Sequence, residues 1–123
     1  MVDNKRFKNW EPPVFDKDGW TKYGWRCQHY EKLKMGKNVD IGCFSYLNAR
    51  YGLIIGDNVQ IGSHCSIYSD DTERDIYGCV VIEDDVLIGS HSLILPNSFI
   101  KKGSKIPAFS IIKGKNKLLI KGG

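Results

Sequence analysis

The sequence predicts an all-β fold, a triangular solenoid of parallel β-structure with about four coils. Three observations carry that prediction. Aliphatic residues recur every six positions, small residues follow them at a fixed offset, and one phrase, Ile-Gly-Ser-His, is written twice, at Ile61–His64 and again at Ile88–His91.

The aliphatic series runs Met35, Ile41, Leu47; Ile55, Ile61, Ile67; Ile82, Ile88, Ile94; and Ile100, Ile106, Ile112. A period of six is neither the 3.6 of an amphipathic helix nor the 2 of an ordinary half-buried strand. Six residues make one short straight side and three sides make a coil, so the aliphatic side chains point inward as stacked ladders. Four residues after nine of these aliphatics comes a second inward position, held by Val39, Ser45, Val59, Cys65, Val86, Ser92, Ser98, Ser104 and Ser110, small enough to fit near a corner. Glycine follows the aliphatic at 36, 42, 56, 62 and 89, where its tolerance of unusual backbone angles suits a corner.

Two steps break the period, Leu47 to Ile55 and Ile67 to Ile82. Both insertions fall at the same corner, and the longer one, around "DDTERDIYG", is expected to project as a loop at 68–80. In this register His64 stacks on His91 at the ~4.8 Å spacing of neighbouring strands. Phe44 and Phe109 continue the column on either side.

Residues 1–32 lack the repeat. Their Trp, Tyr and paired Pro residues point to an irregular cap on the open first coil, and 33–123 form the β-helical domain. The 123 residues suffice for one domain that folds without disulfides or metal. The four cysteines show no Cys-x-x-Cys pair, so neither a structural zinc site nor a disulfide framework is expected. Cys65, at an inward position, is read as core. The start lacks a signal peptide's apolar segment, and no run approaches the ~20 apolar residues of a membrane span, so a cytoplasmic protein is expected. The net charge of +4 suits an anionic small molecule as well as nucleic acid. The stretch from Lys101 to Gly123 carries lysines and no acidic residue, without the interleaved aromatics of a nucleic-acid stacking platform.

The pieces "IGDNVQIGSHCSIYS", "IEDDVLIGSHSLILPNSFI" and "IPAFSIIKGKNKLLI" resemble the hexapeptide-repeat acyltransferases over about residues 33 to 120. The resemblance implies a left-handed parallel β-helix, a homotrimer, and acetyl-CoA lying in the groove between subunits as co-substrate. It places small residues of "LIGS" along the pantetheine path, with Ser90 near the thioester and Leu87 in place of the usual Trp. "PAFS" is similar to the family's "GAGS" turn, which implies that backbone at Ala108 and Ser110 approaches CoA. The tail "IIKGKNKLLI" resembles the family's "IVAGNPAKVI", which implies that Lys113, Lys115 and Lys117 are the candidates to meet the nucleotide phosphates.

On the acceptor side, "IYSDDTER" is similar to the "FTNDxxPR" loop of N-acetyltransferases that act on nucleotide-linked amino sugars. This matches Asp70 to their Asp and Arg74 to their Arg. "SYLN" resembles a segment in which an Asn, here Asn48, contacts the sugar, and Asp71 joins the acceptor side. The catalytic His of the sugar O-acetyltransferases would fall on Thr72. A hydroxyl acceptor needs a general base and Thr is none, which favours an amino acceptor. The resemblance therefore implies acetyl transfer to an amino sugar in surface-glycan synthesis, with a sugar O-acetyltransferase or a non-catalytic scaffold as alternatives. His64 and Asp70 are the candidate proton acceptors. His91 is read as packing, and His29, in the cap, is assigned no role. A γ-class carbonic anhydrase needs a second His five residues after His91, where Pro96 stands, so no metal is expected.

Overall fold

The computed structural model describes residues 8–114 and 118–122. The chain winds as a parallel β-solenoid of four coils, each with three short strands. The first holds β2 (Leu33–Met35), β3 (Asp40–Ile41) and β4 (Tyr46–Asn48), and the second β5 (Leu53–Ile55), β6 (Gln60–Ile61) and β7 (Ser66–Tyr68). After a hairpin come β10 (Val80–Ile82), β11 (Leu87–Ile88) and β12 (Leu93–Ile94), then β13 (Phe99–Ile100), β14 (Lys105–Ile106) and β15 (Ile111–Ile112).

The coils stack in the register that the six-residue period predicts. Met35 lies on Ile55, Ile82 and Ile100 in one face; Ile41 on Ile61, Ile88 and Ile106 in the next; Leu47 on Ile67, Ile94 and Ile112 in the third. Most of these side chains are buried, as are Val39, Val59, Val86 and Cys65 at the second inward position. The inward serines are satisfied by backbone carbonyls: Ser45 Oγ donates to Gly62 O at 2.9 Å, Ser92 Oγ to Pro107 O at 3.2 Å and Ser98 Oγ to Leu95 O at 2.6 Å. A small hydroxyl fits there because the carbonyl beside it removes the cost of its burial.

The corners correct one expectation. The glycines at 36, 42, 56, 62 and 89 are absent from the left-handed backbone region. That conformation falls two residues later, on Asn38, Phe44, Asn58, His64 and His91, and also on Asp85 and Phe109. Glycine is required for a different reason, the closeness of the next coil. A Cβ on Gly62 would lie 2.6 Å from the backbone nitrogen of Ser90, and one on Gly42 would lie 2.4 Å from that of Ser63.

Acidic side chains stitch the opposite corner. Lys37 N–H donates to Asp57 Oδ1 at 2.9 Å, Asp57 N–H to Asp84 Oδ1 at 2.7 Å and Lys102 N–H to Glu83 Oε1 at 3.0 Å.

The segment before residue 33 closes the first coil, and part of it joins the solenoid. Strand β1 (Arg26–Gln28) pairs in parallel with β4, placing the fully buried Cys27 on Leu47. Trp25 is buried in the core, Phe15 meets it edge-on at 5.6 Å, and Trp10 Nε1 donates to Val39 O at 2.8 Å. At the other end β16 (Leu118–Ile120) runs antiparallel along β15. The projecting segment is a hairpin of β8 (Asp70–Asp71) and β9 (Ile76–Tyr77). Of the described residues, none lies in a helix long and apolar enough to cross a membrane.

Three substitutions separate these roles. Ile67→Ala, at a fully buried rung, is expected to cost about 2–5 kcal/mol in chemical denaturation. Gly62→Ala is expected to cost about 1–3 kcal/mol because its Cβ meets backbone. Phe109→Asn is expected to stay within about 1 kcal/mol of the parent, since relief of the left-handed strain offsets the lost ring contact.

Candidate functional site

Two concave regions carry polar chemistry, and they lie on different corners. The first follows the repeated Gly–small–aromatic phrase: Gly42-Cys43-Phe44, Gly62-Ser63-His64, Gly89-Ser90-His91 and, with Pro in place of Gly, Pro107-Ala108-Phe109. The left-handed backbone at the third residue turns each ring outward, where the rings form one stack. Centroid separations are 5.0 Å for Phe44–His64, 4.6 Å for His64–His91 and 5.0 Å for His91–Phe109, with the two imidazoles 4° from parallel. Beside the stack runs a groove of about 590 Å³ lined by Gly62, Leu87, Gly89, Ser90, Lys105 and Ala108, among others. Gly62, Gly89, Ser90 and Ala108 are the small residues of that lining, and beside them an extended thin ligand can approach backbone.

The second region is a polar cavity of about 500 Å³ beneath the hairpin, on the outward face of β1, β4 and β7. Gln28, Tyr46, Asn48 and Tyr68 line its wall, and Asp70, Asp71 and Glu73 come from the hairpin. A hydrogen-bond chain holds the wall: Tyr46 Oη donates to Gln28 Oε1, Asn48 Nδ2 donates to Tyr46 Oη at 3.4 Å, and Asn48 Oδ1 accepts from Arg50 N–H at 3.0 Å and Ser69 Oγ at 3.2 Å. Arg50 Nη1 pairs with Asp70 Oδ2 at 3.3 Å. Carboxylates outnumber cations on the lining, so the cavity favours a cationic group.

The sequence-predicted residues divide between these regions. Ser90 and Ala108 share the groove, while Asn48, Asp70 and Asp71 share the cavity. Arg74 does not line the cavity, because its guanidinium turns back on the largely buried Asp71, Nη1 to Oδ2 at 2.9 Å, and closes the hairpin. Ser110 faces inward and is fully buried; its hydroxyl donates to Pro107 O at 2.7 Å and accepts from Gly122 N–H at 3.1 Å. Its side chain therefore holds the last corner together and is turned away from the groove. Lys113 does not line the groove either, and Lys115 and Lys117 lie outside the described residues. His64 stands at the opposite end of β7 from Asp70, so one chain does not bring the two candidate proton acceptors together.

Sequence reasoning missed Lys105 in the groove, and Gln28, His29, Tyr46, Arg50 and Tyr68 in the cavity. For Tyr46, Tyr68 and Lys105 a signal was present: Tyr46 and Lys105 immediately precede an inward aliphatic and Tyr68 immediately follows one, so each must face out. Gln28 and His29 had none, because β1 precedes the recognisable repeat. A further cavity of about 500 Å³ lies under the cap, lined by Trp10, Trp25, Met35, Val39 and Ile41 among others.

No protein-family model and no curated protein matches this sequence. Among solved structures the chain is similar to a mutant of AntD, an N-acyltransferase from Bacillus cereus, in complex with dTDP and coenzyme A. The TM-score is 0.56 at 20% identity, covering 77% of this chain and 69% of that one. A second AntD mutant, in complex with dTDP-4-amino-4,6-dideoxyglucose and coenzyme A, gives a TM-score of 0.48 at 25% identity, covering 76% and 62%. A hexapeptide-repeat-containing acetyltransferase from Vibrio cholerae gives 0.47 at 21%, covering 79% and 66%. The first likeness defines the class of fold, the hexapeptide-repeat β-solenoid.

Burial pushes the Cys27 thiol up to about 12 from an ordinary 9.0 and raises that of Cys65 as well, whereas Cys43 and Cys79 are exposed. A thiol-reactive chromogen at about pH 8 is therefore expected to titrate Cys43 and Cys79 in the native protein, with Cys27 and Cys65 reacting only after denaturation. The neutral Cys27 supports the fold fully below pH 9.0, and that support is expected to fall as pH rises toward about 12, as read from alkaline unfolding.

Proposed function

We propose that this chain is an acyl-CoA-dependent acetyltransferase that moves the acetyl group of acetyl-CoA to the amino group of a nucleotide-linked sugar, in surface-glycan synthesis. The observation that carries the reading is the pairing of a groove with small residues at Gly89, Ser90 and Ala108 with an acid-rich cavity at Asn48, Asp70 and Asp71. The small residues of the groove suit a pantetheine arm, and the carboxylates suit an ammonium group. AntD, similar in fold, is held with coenzyme A and dTDP.

The two regions occupy different corners of one chain, so the reading requires a second copy to bring the groove of one to the cavity of the next. A homotrimer meets that requirement by giving every groove a neighbour. The amine attacks the thioester carbonyl while a corner backbone N–H, at Ser90 or Ala108, stabilises the oxyanion. Asp70 holds the ammonium and is the candidate proton acceptor from the same cavity; His64 serves that role only from another copy. Arg74 acts through Asp71 by fixing the hairpin. Lys105, on the groove wall, meets a phosphate of CoA.

Calorimetric titration with acetyl-CoA is expected to show micromolar binding at one site per chain. Ser90→Trp, which fills the groove, is expected to abolish it with the fold retained. Absence of binding to the parent protein, at a trimer's mass in light scattering, would replace this reading with a non-catalytic scaffold.

A further inference from the structure

An imidazole already stands in the acceptor cavity of a single chain, and the hexapeptide pattern does not supply it. His29 follows β1 and lines the cavity with Asn48, Arg50, Asp70 and Asp71. Its backbone is left-handed, φ 58° and ψ 44°, at the head of the short 3₁₀ turn Tyr30–Lys32, whose Lys32 N–H donates to His29 O at 2.9 Å. That conformation is uncommon for a residue with a side chain and costs energy unless the surroundings fix it. Here the flanks are fixed: Tyr30 stacks on Phe15 at 4.8 Å, and Gln28 is held by β1 pairing and by Tyr46 Oη. On the Nδ1 side Glu31 Oε1 lies at 3.7 Å. A carboxylate beside Nδ1 favours the tautomer that keeps its proton there and leaves Nε2 as the acceptor.

We propose that His29 is the general base of the acceptor cavity. This rests on the acetyltransferase reading and assigns the proton transfer to the chain that binds the acceptor. His29 Nε2 removes a proton from the bound ammonium and releases it to solvent, while Asp70 and Asp71 hold the amine. The amine nitrogen attacks the thioester carbonyl and forms the C–N bond. The C–S bond breaks, and the surplus proton on the new amide nitrogen passes through His29 to the departing thiolate, giving amide and free coenzyme A. His64 cannot perform this step within one chain, because its ring is stacked between Phe44 and His91 on another corner.

The test is steady-state release of coenzyme A thiol from acetyl-CoA with a dTDP-linked amino sugar as acceptor, measured across pH for the parent, His29→Asn, His29→Gln and His64→Gln. Asparagine accepts the left-handed backbone, so its effect is chemical and separate from folding. The charged groups that shape the profile are Glu31 from the same turn, Lys32 beside it, Arg50 after β4, and Asp70, Asp71 and Glu73 from the hairpin. Both His29 variants are expected to lose about 10²–10⁴-fold in kcat near neutral pH. They are also expected to lose the imidazole limb of the pH profile and to keep the parent's Kd for acetyl-CoA. An active parent whose kcat and pH profile survive His29→Asn would overturn the role of His29 alone, and loss in His64→Gln with His29→Asn intact would transfer the base to the stacked corner. A parent that neither binds acetyl-CoA nor releases thiol would overturn the transferase reading and this assignment with it.

Discussion

The spacing between coils governs this molecule. Each parallel ladder sets neighbouring backbones at strand separation, about 4.8 Å, so every position in a coil sits directly over its counterpart. The aliphatic rungs follow from that constraint, since only residues of similar shape can stack four deep in a closed triangular core. The glycine after five of the rungs, at 36, 42, 56, 62 and 89, follows too. At Gly42 and Gly62 the next coil's backbone occupies the space where a Cβ would stand. The buried hydroxyls of Ser45 and Ser92 can serve as core because the same closeness brings a carbonyl of the next coil within hydrogen-bond reach.

Periodicity also decides where chemistry can appear. Inward positions are committed to the core, so function is confined to outward side chains and to corners. The repeat of Gly-Ser-His at two corners is explained by this geometry: a left-handed corner residue points its ring outward, and identical corners one coil apart place the rings face to face. The phenylalanines that continue the stack are 68% and 61% exposed. They combine a strained backbone with solvent exposure of a large apolar ring, a combination that packing of an isolated chain does not reward.

The polar cavity arises where periodicity fails. The insertion between Ile67 and Ile82 builds the hairpin that roofs it, and the non-repeating segment before residue 33 supplies Gln28 and His29 to its floor. Ion pairs within the hairpin, Arg74 with Asp71, and from the solenoid to it, Arg50 with Asp70, fix the carboxylates that face the cavity. The solenoid gives rigid registration and the irregular segments give the polar constellation, a division in which loops carry specificity on a regular scaffold.

The sequence by itself determined the period, the coil count, the rung identities, the corner that bears the hairpin and the stacking of His64 on His91. Each depends on residues six or one coil apart, and a strict repeat transmits local pattern into global register. Only the tertiary structure decided that Cys27 begins the ladder, that Ser110 turns inward, that Arg74 is engaged by Asp71, and that His29 enters the cavity beneath Asp70. Those outcomes depend on how non-repeating chain folds back on the repeat. No periodicity encodes the meeting of side chains that are distant in sequence and unequal in environment.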